Sequence, residues 1–382
     1  MNCCGCDACV DICPKKCIEM KPDALGFMYP ETNKEKCINC GLCEKVCPSV
    51  HGITHGHVRT TIFAGVNKDK NTLFNSSSGG AFSSIYSYFL GQGDLVYGVR
   101  YGENFSVQYD WADSLEGCEQ FRKSKYILSN TNHCFSKIEE QLKNGKRVLF
   151  SGTPCHCSAL RNYLEIKKIP LNNIFIIDII CHGAPSQQIF DSYVRESNEM
   201  KNVKISTYKF RNKIPYYGSV NSRTAEISYS NEKTVVVDIT TDPFLRGYYE
   251  RLFYRDSCGE CRYASPDRIS DITIGDAWHI EKQYPEWDSN AGVSLILMNT
   301  ERARSIGKSI FKDMELKETT LDWALENNNQ LKEPTTMSDK RDLFFECYPK
   351  DGFYDAVNKC YKISALRKIK NIVKGIIYGI KK

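Results

Sequence analysis

Cysteines are the residues here whose spacing can do chemistry. The 382-residue chain has nineteen of them, ten within the first 47 positions. Cys3, Cys6, Cys9 and Cys13 follow C-x2-C-x2-C-x3-C and precede Pro14. Cys37, Cys40, Cys43 and Cys47 repeat that spacing and precede Pro48. Three thiolates at x2 intervals can wrap three corners of an iron–sulfur cube from one turn of backbone. A fourth, followed by proline, is expected to start a short helix that crosses to the other cube. This assigns Cys3, Cys6, Cys9 and Cys47 to one 4Fe-4S cluster, and Cys37, Cys40, Cys43 and Cys13 to a second. Structural zinc takes cysteines in pairs and does not fit two such triples. Cys4 and Cys17 fall outside the register and read as bystanders, small apolar residues near the clusters.

Five further cysteines come in a different arrangement. "KRVLFSGTPCHCSALRNYL" reads as a short apolar strand, a loop with Cys155 and Cys157, and then a helix. "NIFIIDIICHGAPSQQIFDSYV" repeats this, with Cys181 at the strand end. Ligands of parallel α/β sheets bind at the carboxyl ends of strands. A close pair, Cys258 and Cys261, follows in "YRDSCGECRY". Together Cys155, Cys181, Cys258 and Cys261 suggest a third 4Fe-4S cluster, with zinc at the same residues as the competing reading. Cys118, Cys134, Cys347 and Cys360 stand alone and read as structural.

These residues need elements to hold them. The segment between the two N-terminal repeats, with turn signals at Pro22-Asp23 and Leu25-Gly26, reads as a hairpin. Residues 1–50 are thus expected to form a bacterial-type two-cluster ferredoxin domain. Residues 51–60, with three histidines among glycines, read as a linker. Residues 61–361 alternate strand-like and helix-like stretches, which argues for an α/β body. There, "TIFAGVN" is expected as a strand. A Ser/Gly loop at Ser77, Ser78, Gly79 and Gly80 opens a helix with Phe82, Ile85, Tyr86 and Phe89 on its apolar side, stopped by Gly91 and Gly93. Such a loop suits a phosphate, although a plain N-cap by Asn75 or a serine explains it equally.

Composition limits the function classes. The net charge is +5, but residues 362–382 hold seven Lys/Arg and no acid, which leaves 44 basic against 46 acidic residues elsewhere. The body is therefore not a nucleic-acid-binding surface. The tail places Ile363, Leu366, Ile369, Ile372, Val373, Ile376, Ile377 and Ile380 on one helical face, with Lys and Arg on the other. It suits either an anionic membrane surface or a docking partner. No secretory signal or apolar span is visible, so a cytoplasmic protein with reduced, metal-binding thiols is expected.

Several blocks, in this order, resemble a known family: "SSSGG", "SKY", "SGTPC", "CHGAPS", "FRNK", "DPFLRGYYERLFYRDSCGEC", "RISDITIGDAW" and "AGVSLILMNT". From about Thr61 to Asn299 the chain is similar to the beta subunit of coenzyme F420-reducing hydrogenase and formate dehydrogenase. The resemblance implies an α/β flavin- and iron–sulfur-binding domain with FAD beside a 4Fe-4S cluster. Its partner would be a redox protein or a small-molecule two-electron acceptor such as a deazaflavin. It places Ser77, Ser78, Gly79 and Gly80 near the FAD phosphates, with Lys125 as a cationic partner and Tyr126 beside it. Ser151, Gly152 and Thr153 would approach the flavin at the strand end. His156 and Cys157 stand where relatives usually show a Gln and a small apolar residue, and Cys157 is a rival to Cys155 as ligand. Arg211 and Lys213, beside a pair of tyrosines, suit an anionic substrate but read more simply as a solvated hairpin face, and Asp276 and Trp278 read as core and turn. No catalytic triad or paired acids are visible, and hydride chemistry would belong to the flavin. The alternatives are a relay subunit without catalysis and a zinc-stabilised binding protein.

Overall fold

The computed structural model describes residues 2–52, 60–213 and 223–361. The amphipathic tail, most of the histidine linker and the two tyrosines after Lys213 lie outside the described residues. The N-terminal module runs α1 (Ala8–Ile12), β1 (Ile18–Pro22), β2 (Met28–Thr32) and α2 (Leu42–Lys45). β1 and β2 form the expected antiparallel hairpin, in register Ile18 with Thr32. Its turn is held by Asp23, whose carboxylate accepts from the Leu25 and Phe27 amides, and by Gly26 at φ +78°.

The two cysteine repeats fold alike. Left-handed residues fall at equivalent positions, Gly5 and Asp7 in the first, Asn39 and Gly41 in the second. In each, an amide donates back to the leading sulfur: Gly5 N–H to Cys3 Sγ and Asn39 N–H to Cys37 Sγ, both 3.4 Å. The expected helix after each Cys-Pro is not there. The helices come before it, α1 ending at Cys13, whose backbone is already extended (ψ 113°). Proline explains where α1 stops: its ring disfavours the helical conformation at the preceding residue.

The body is built on an eight-stranded mixed sheet. In chain order its elements are β3 (Thr61–Asn67), α3 (Lys70–Phe74), α4 (Ala81–Gly91), β4 (Leu95–Tyr101), β5 (Val107–Ala112), α5 (Leu115–Glu119), α6 (Cys134–Lys143), β6 (Val148–Gly152), α7 (Pro154–Ile166), β7 (Ile174–Ile179) and α8 (Gln187–Lys201). A small antiparallel sheet of β8 (Ile205–Phe210), β9 (Thr224–Tyr229) and β10 (Thr234–Asp238) follows, then α9 (Pro243–Tyr249). β11 (Ile272–Asp276), β12 (Ser294–Met298) and β13 (Met314–Thr319) complete the main sheet in the order β13-β3-β12-β11-β7-β6-β4-β5. β4, β6, β7 and β11 run parallel. β3 shares their direction through the antiparallel β12. The ends of β3, β6, β7 and β11 therefore open on one edge of the sheet, where crevices form.

Among the described residues no helix is long and apolar enough to cross a membrane. The N-terminal module is packed against the body. Cys6, Ala8, Ile12 and Val46 share one apolar cluster with Ile138, Leu142, Leu160 and Leu164 of α6 and α7. Cys118, Cys134, Cys347 and Cys360 are all buried in apolar clusters of the body.

Candidate functional site: a thiol-lined cavity at the sheet edge

Cys155, Cys181, Cys258 and Cys261 line one cavity of about 290 Å3. They arrive from three parts of the chain. β6 hands directly to α7, with Pro154 in its first turn, so Cys155 sits on the helix rather than in the expected loop. Proline suits that position because its missing N–H would have no helical partner anyway. Cys181 lies two residues past β7, the parallel neighbour of β6. Cys258 and Cys261 sit on the segment after α9, which is pinned to the Cys181 loop by the Arg255 amide donating to Ala184 O at 3.0 Å. Cys157 is turned away: its sulfur is buried and donates to Ile177 O, so it does not line the cavity. His156 is buried against the Tyr109 hydroxyl at 2.9 Å, and burial pushes its pKa down to about 4.

The four thiols discourage one another's ionisation. Burial, and after it the neighbouring thiols, raises Cys181 and Cys261, while burial carries Cys258 to about 12. At Cys155 the larger cause is a hydrogen bond with Cys4, followed by burial. Thiolates gathered this way need a cationic centre, which deprotonates coordinating thiols outright. Among the described residues no three His, Cys, Asp or Glu side chains converge on one point as a single ion would require. The four cysteines line a shared cavity instead. That cavity is far larger than the ~10–15 Å3 that one water needs.

Two buried arginines also line the cavity. Arg268 pairs with Asp178 on β7 at 3.0 Å, both side chains almost wholly buried. Arg255 is 1% exposed. It donates Nε to Cys3 O (2.5 Å) and Nη2 to Met28 O (2.9 Å), and it stacks on Tyr29 with 4.2 Å to the ring centre. Its Nη1 is buried with no hydrogen-bond partner. A buried charge in that position is costly without an anion close by, and a thiolate-ligated cluster supplies one. On this observation the residues fit an iron–sulfur group.

In the N-terminal module, the thiols acting on Cys9 are those of Cys3, Cys47 and Cys43, and Cys13 lies beside Cys17 at 3.5 Å between the sulfurs. Cys4 lines the inner cavity.

The Ser/Gly loop is held tightly. Ser77 Oγ accepts from the Ser124 amide, and Ser78 Oγ donates to Val293 O. Gly79 is required by packing, because a Cβ there would stand 2.1 Å from Gly65 O and 2.5 Å from the Ser294 amide. Ser151 Oγ donates to Tyr97 O, and Thr153 lies 3.3 Å from the Cys155 sulfur. Gly152 faces the Tyr109 hydroxyl. Lys125 donates to the carbonyls of Gln120, Arg122 and Lys123. Tyr126 stacks on Tyr248 with ring centres 4.2 Å apart.

Arg211 and Lys213 are not a solvated face. Arg211 makes a bidentate pair with Asp276, both bonds 2.7 Å, and Lys213 is 4% exposed. Lys213 Nζ donates to Leu73 O and Ser78 O at 2.7 Å each, directly behind the Ser/Gly loop. The "FRNK" block carried this signal, but a charged run beside tyrosines reads more simply as a hairpin surface.

Arg255 gives a test of the docking. Arg255→Met should cost about 2–4 kcal/mol of stability, because it strips two buried carbonyls of their donor. It should also open the N-terminal module, which Arg255 ties to the body, to limited proteolysis. Unchanged urea unfolding and protease resistance would remove Arg255 as the tie between module and body.

Residues 2–50 match the family described as a 4Fe-4S dicluster domain. Residues 145–322 match the family described as the C terminus of the coenzyme F420 hydrogenase/dehydrogenase beta subunit. An uncharacterized polyferredoxin-like protein of Methanocaldococcus jannaschii is 37% identical over 54 residues. That alignment covers 12% of this chain and 32% of the relative, so the chain spans about a third of the curated relative it matches. A chain in the F420-reducing [NiFe] hydrogenase complex from Methanosarcina barkeri superimposes with a TM-score of 0.48 at 16% identity, covering 74% of this chain and 98% of that one. The protein thus joins an N-terminal 4Fe-4S dicluster domain to a domain matching the coenzyme F420 hydrogenase/dehydrogenase beta-subunit family.

Proposed function

We propose that this chain is an iron–sulfur flavoprotein oxidoreductase that passes electrons between ferredoxin-type clusters and a deazaflavin-type, two-electron acceptor. The observation that carries the reading is the ring of Cys155, Cys181, Cys258 and Cys261 around one cavity, with the unpartnered Arg255 charge beside it. When bound, the clusters supply single-electron transfer and FAD pairs those electrons for hydride transfer. Four cysteines lining a shared cavity favour a cubane over zinc, which needs four ligands close about one point.

The chain's own residues would work as follows. Cys3, Cys6, Cys9 and Cys47 hold one outer cluster, and Cys37, Cys40, Cys43 and Cys13 hold the other. Of these, Cys40 is exposed and sits next to exposed Ile38, which suits entry from a redox partner. The inner four thiols hold the third cluster. Ser77 to Gly80, with Ser151, Gly152 and Thr153, border the flavin. Lys213, and not Lys125 alone, supplies positive charge behind the phosphate loop.

Two outcomes test this. Protein purified without oxygen should carry about twelve irons and a flavin spectrum, and Cys181→Ser should lose about four irons while the N-terminal sites stay filled. A variant that keeps all its iron would end the inner cluster, and a wild type without flavin would end the hydride reading.

The second outcome concerns pH. Burial, and then Arg211, lowers Lys213 to about 7, so its charge is lost as pH rises through neutrality. Only the protonated form attracts an anion. FAD affinity should therefore fall above pH 7, by up to tenfold per unit, and Lys213→Met should flatten the profile. A pH-independent affinity in the wild type would remove Lys213 from the flavin site.

A further inference from the structure

The body holds the N-terminal module by its hairpin and its short helices. Ser186 Oγ donates to Leu25 O, Thr131 Oγ1 to Asp7 Oδ2 and Asn162 Nδ2 to Val46 O. Among the described residues, the loop 33–41, which carries Cys37 and Cys40, makes no hydrogen bond to the body. It is held within the module instead. The Asn33 amide donates to Cys17 O at 2.8 Å, and Asn33 Oδ1 accepts from the Glu35 and Lys36 amides. Cys17 in turn lies 3.5 Å from Cys13, sulfur to sulfur. The turn at Lys15 and Lys16 therefore lies beside the turn at Lys34 and Lys36. On this loop Ile38 is 56% exposed, and Cys40 is exposed two residues on.

The module's charges are sorted. Residues 1–50 hold six lysines, no arginine and seven acids. Asp7 and Asp11 are turned to the body, bonded to Thr131 and His133. Asp23 holds the hairpin turn, Glu31 pairs with Lys21, and Glu19 stands opposite Glu31 on the hairpin. Five lysines remain, Lys15, Lys16, Lys34, Lys36 and Lys45, against Glu35 and Glu44. All five are exposed, and among the described residues none is in an ion pair.

We propose that this end of the module is the docking surface for a small acidic electron-carrier protein, seated on Ile38 and held by Lys15, Lys16, Lys34, Lys36 and Lys45. This deepens the function proposed above and rests on its assignment of Cys37, Cys40, Cys43 and Cys13 to one cluster. Electron-transfer encounters bury little area, so complementary charge selects the partner and speeds its approach. One electron leaves the carrier's redox centre and one is taken up by the outer site. No bond is made or broken, and no proton moves.

The test follows reduction of the oxygen-free, full-length chain by stopped-flow absorbance. Three reductants are compared: a reduced acidic ferredoxin, the same ferredoxin with its carboxylates amidated, and the uncharged radical of a monoquaternary bipyridinium. The second-order rate with the acidic ferredoxin should fall about tenfold or more from low to high salt. Amidation should remove both the speed and the salt dependence. Lys34→Glu with Lys36→Glu should slow the acidic ferredoxin about tenfold at low salt, with the bipyridinium rate and the cluster potentials unmoved. Lys204→Glu with Lys233→Glu makes the same change in net charge beside the small sheet, where both lysines are exposed, and should keep the wild-type rate. A salt-independent rate, or equal slowing in the two double variants, would overturn the inference. So would slowing with both reductants and a shifted potential, because the lysines would then serve the cluster itself. A wild type without iron in the module would instead remove the cluster assignment on which the inference stands.

Discussion

A buried guanidinium with nothing negative bonded to it is the constraint around which this molecule is arranged. Arg255 gives two of its donors to main-chain carbonyls of the N-terminal module and leaves the third unpaired beside four thiols. Carbonyls offset part of the desolvation of a cation but do not neutralise it. The proposed cluster would complete the charge balance, and the same side chain holds the module against the body. Docking and cofactor binding would then depend on one residue.

The sheet explains why the thiols meet. Parallel neighbours β6 and β7 end side by side, roughly 4.8 Å apart, so a cysteine just past each falls on one edge. β11 extends the same edge, and the buried Arg268–Asp178 pair locks the segment before it to β7. Breaking such a pair by removing one partner typically costs about 3–5 kcal/mol, enough to keep the Cys258–Cys261 segment in place. The Ser/Gly loop stands several strands further along that edge, a separation an extended dinucleotide could bridge.

Much of this was legible in the sequence, and unevenly so. The strand at Thr61–Asn67, the helix running to Gly91 and the hairpin between the repeats all declared themselves by periodicity and turn residues, which act locally. The inner four cysteines could be grouped because two of them follow strand ends and two form a C-x2-C pair. What stayed hidden depends on distance through space. Cys4 lines one cavity with Cys155, 151 positions away in the chain, and nothing local marks it for that place. Lys213 looked like a surface charge because its burial is created by Leu73 and Ser78, about 140 residues away in the chain. The helix ending at Cys13, rather than starting there, shows proline acting on the residue before it.

The most direct measurement is diffraction from oxygen-free crystals at the iron absorption edge. The account predicts three separate anomalous peaks, two in the N-terminal module and one inside the ring of Cys155, Cys181, Cys258 and Cys261. Two peaks confined to the module, or a zinc signal within the ring, would contradict it.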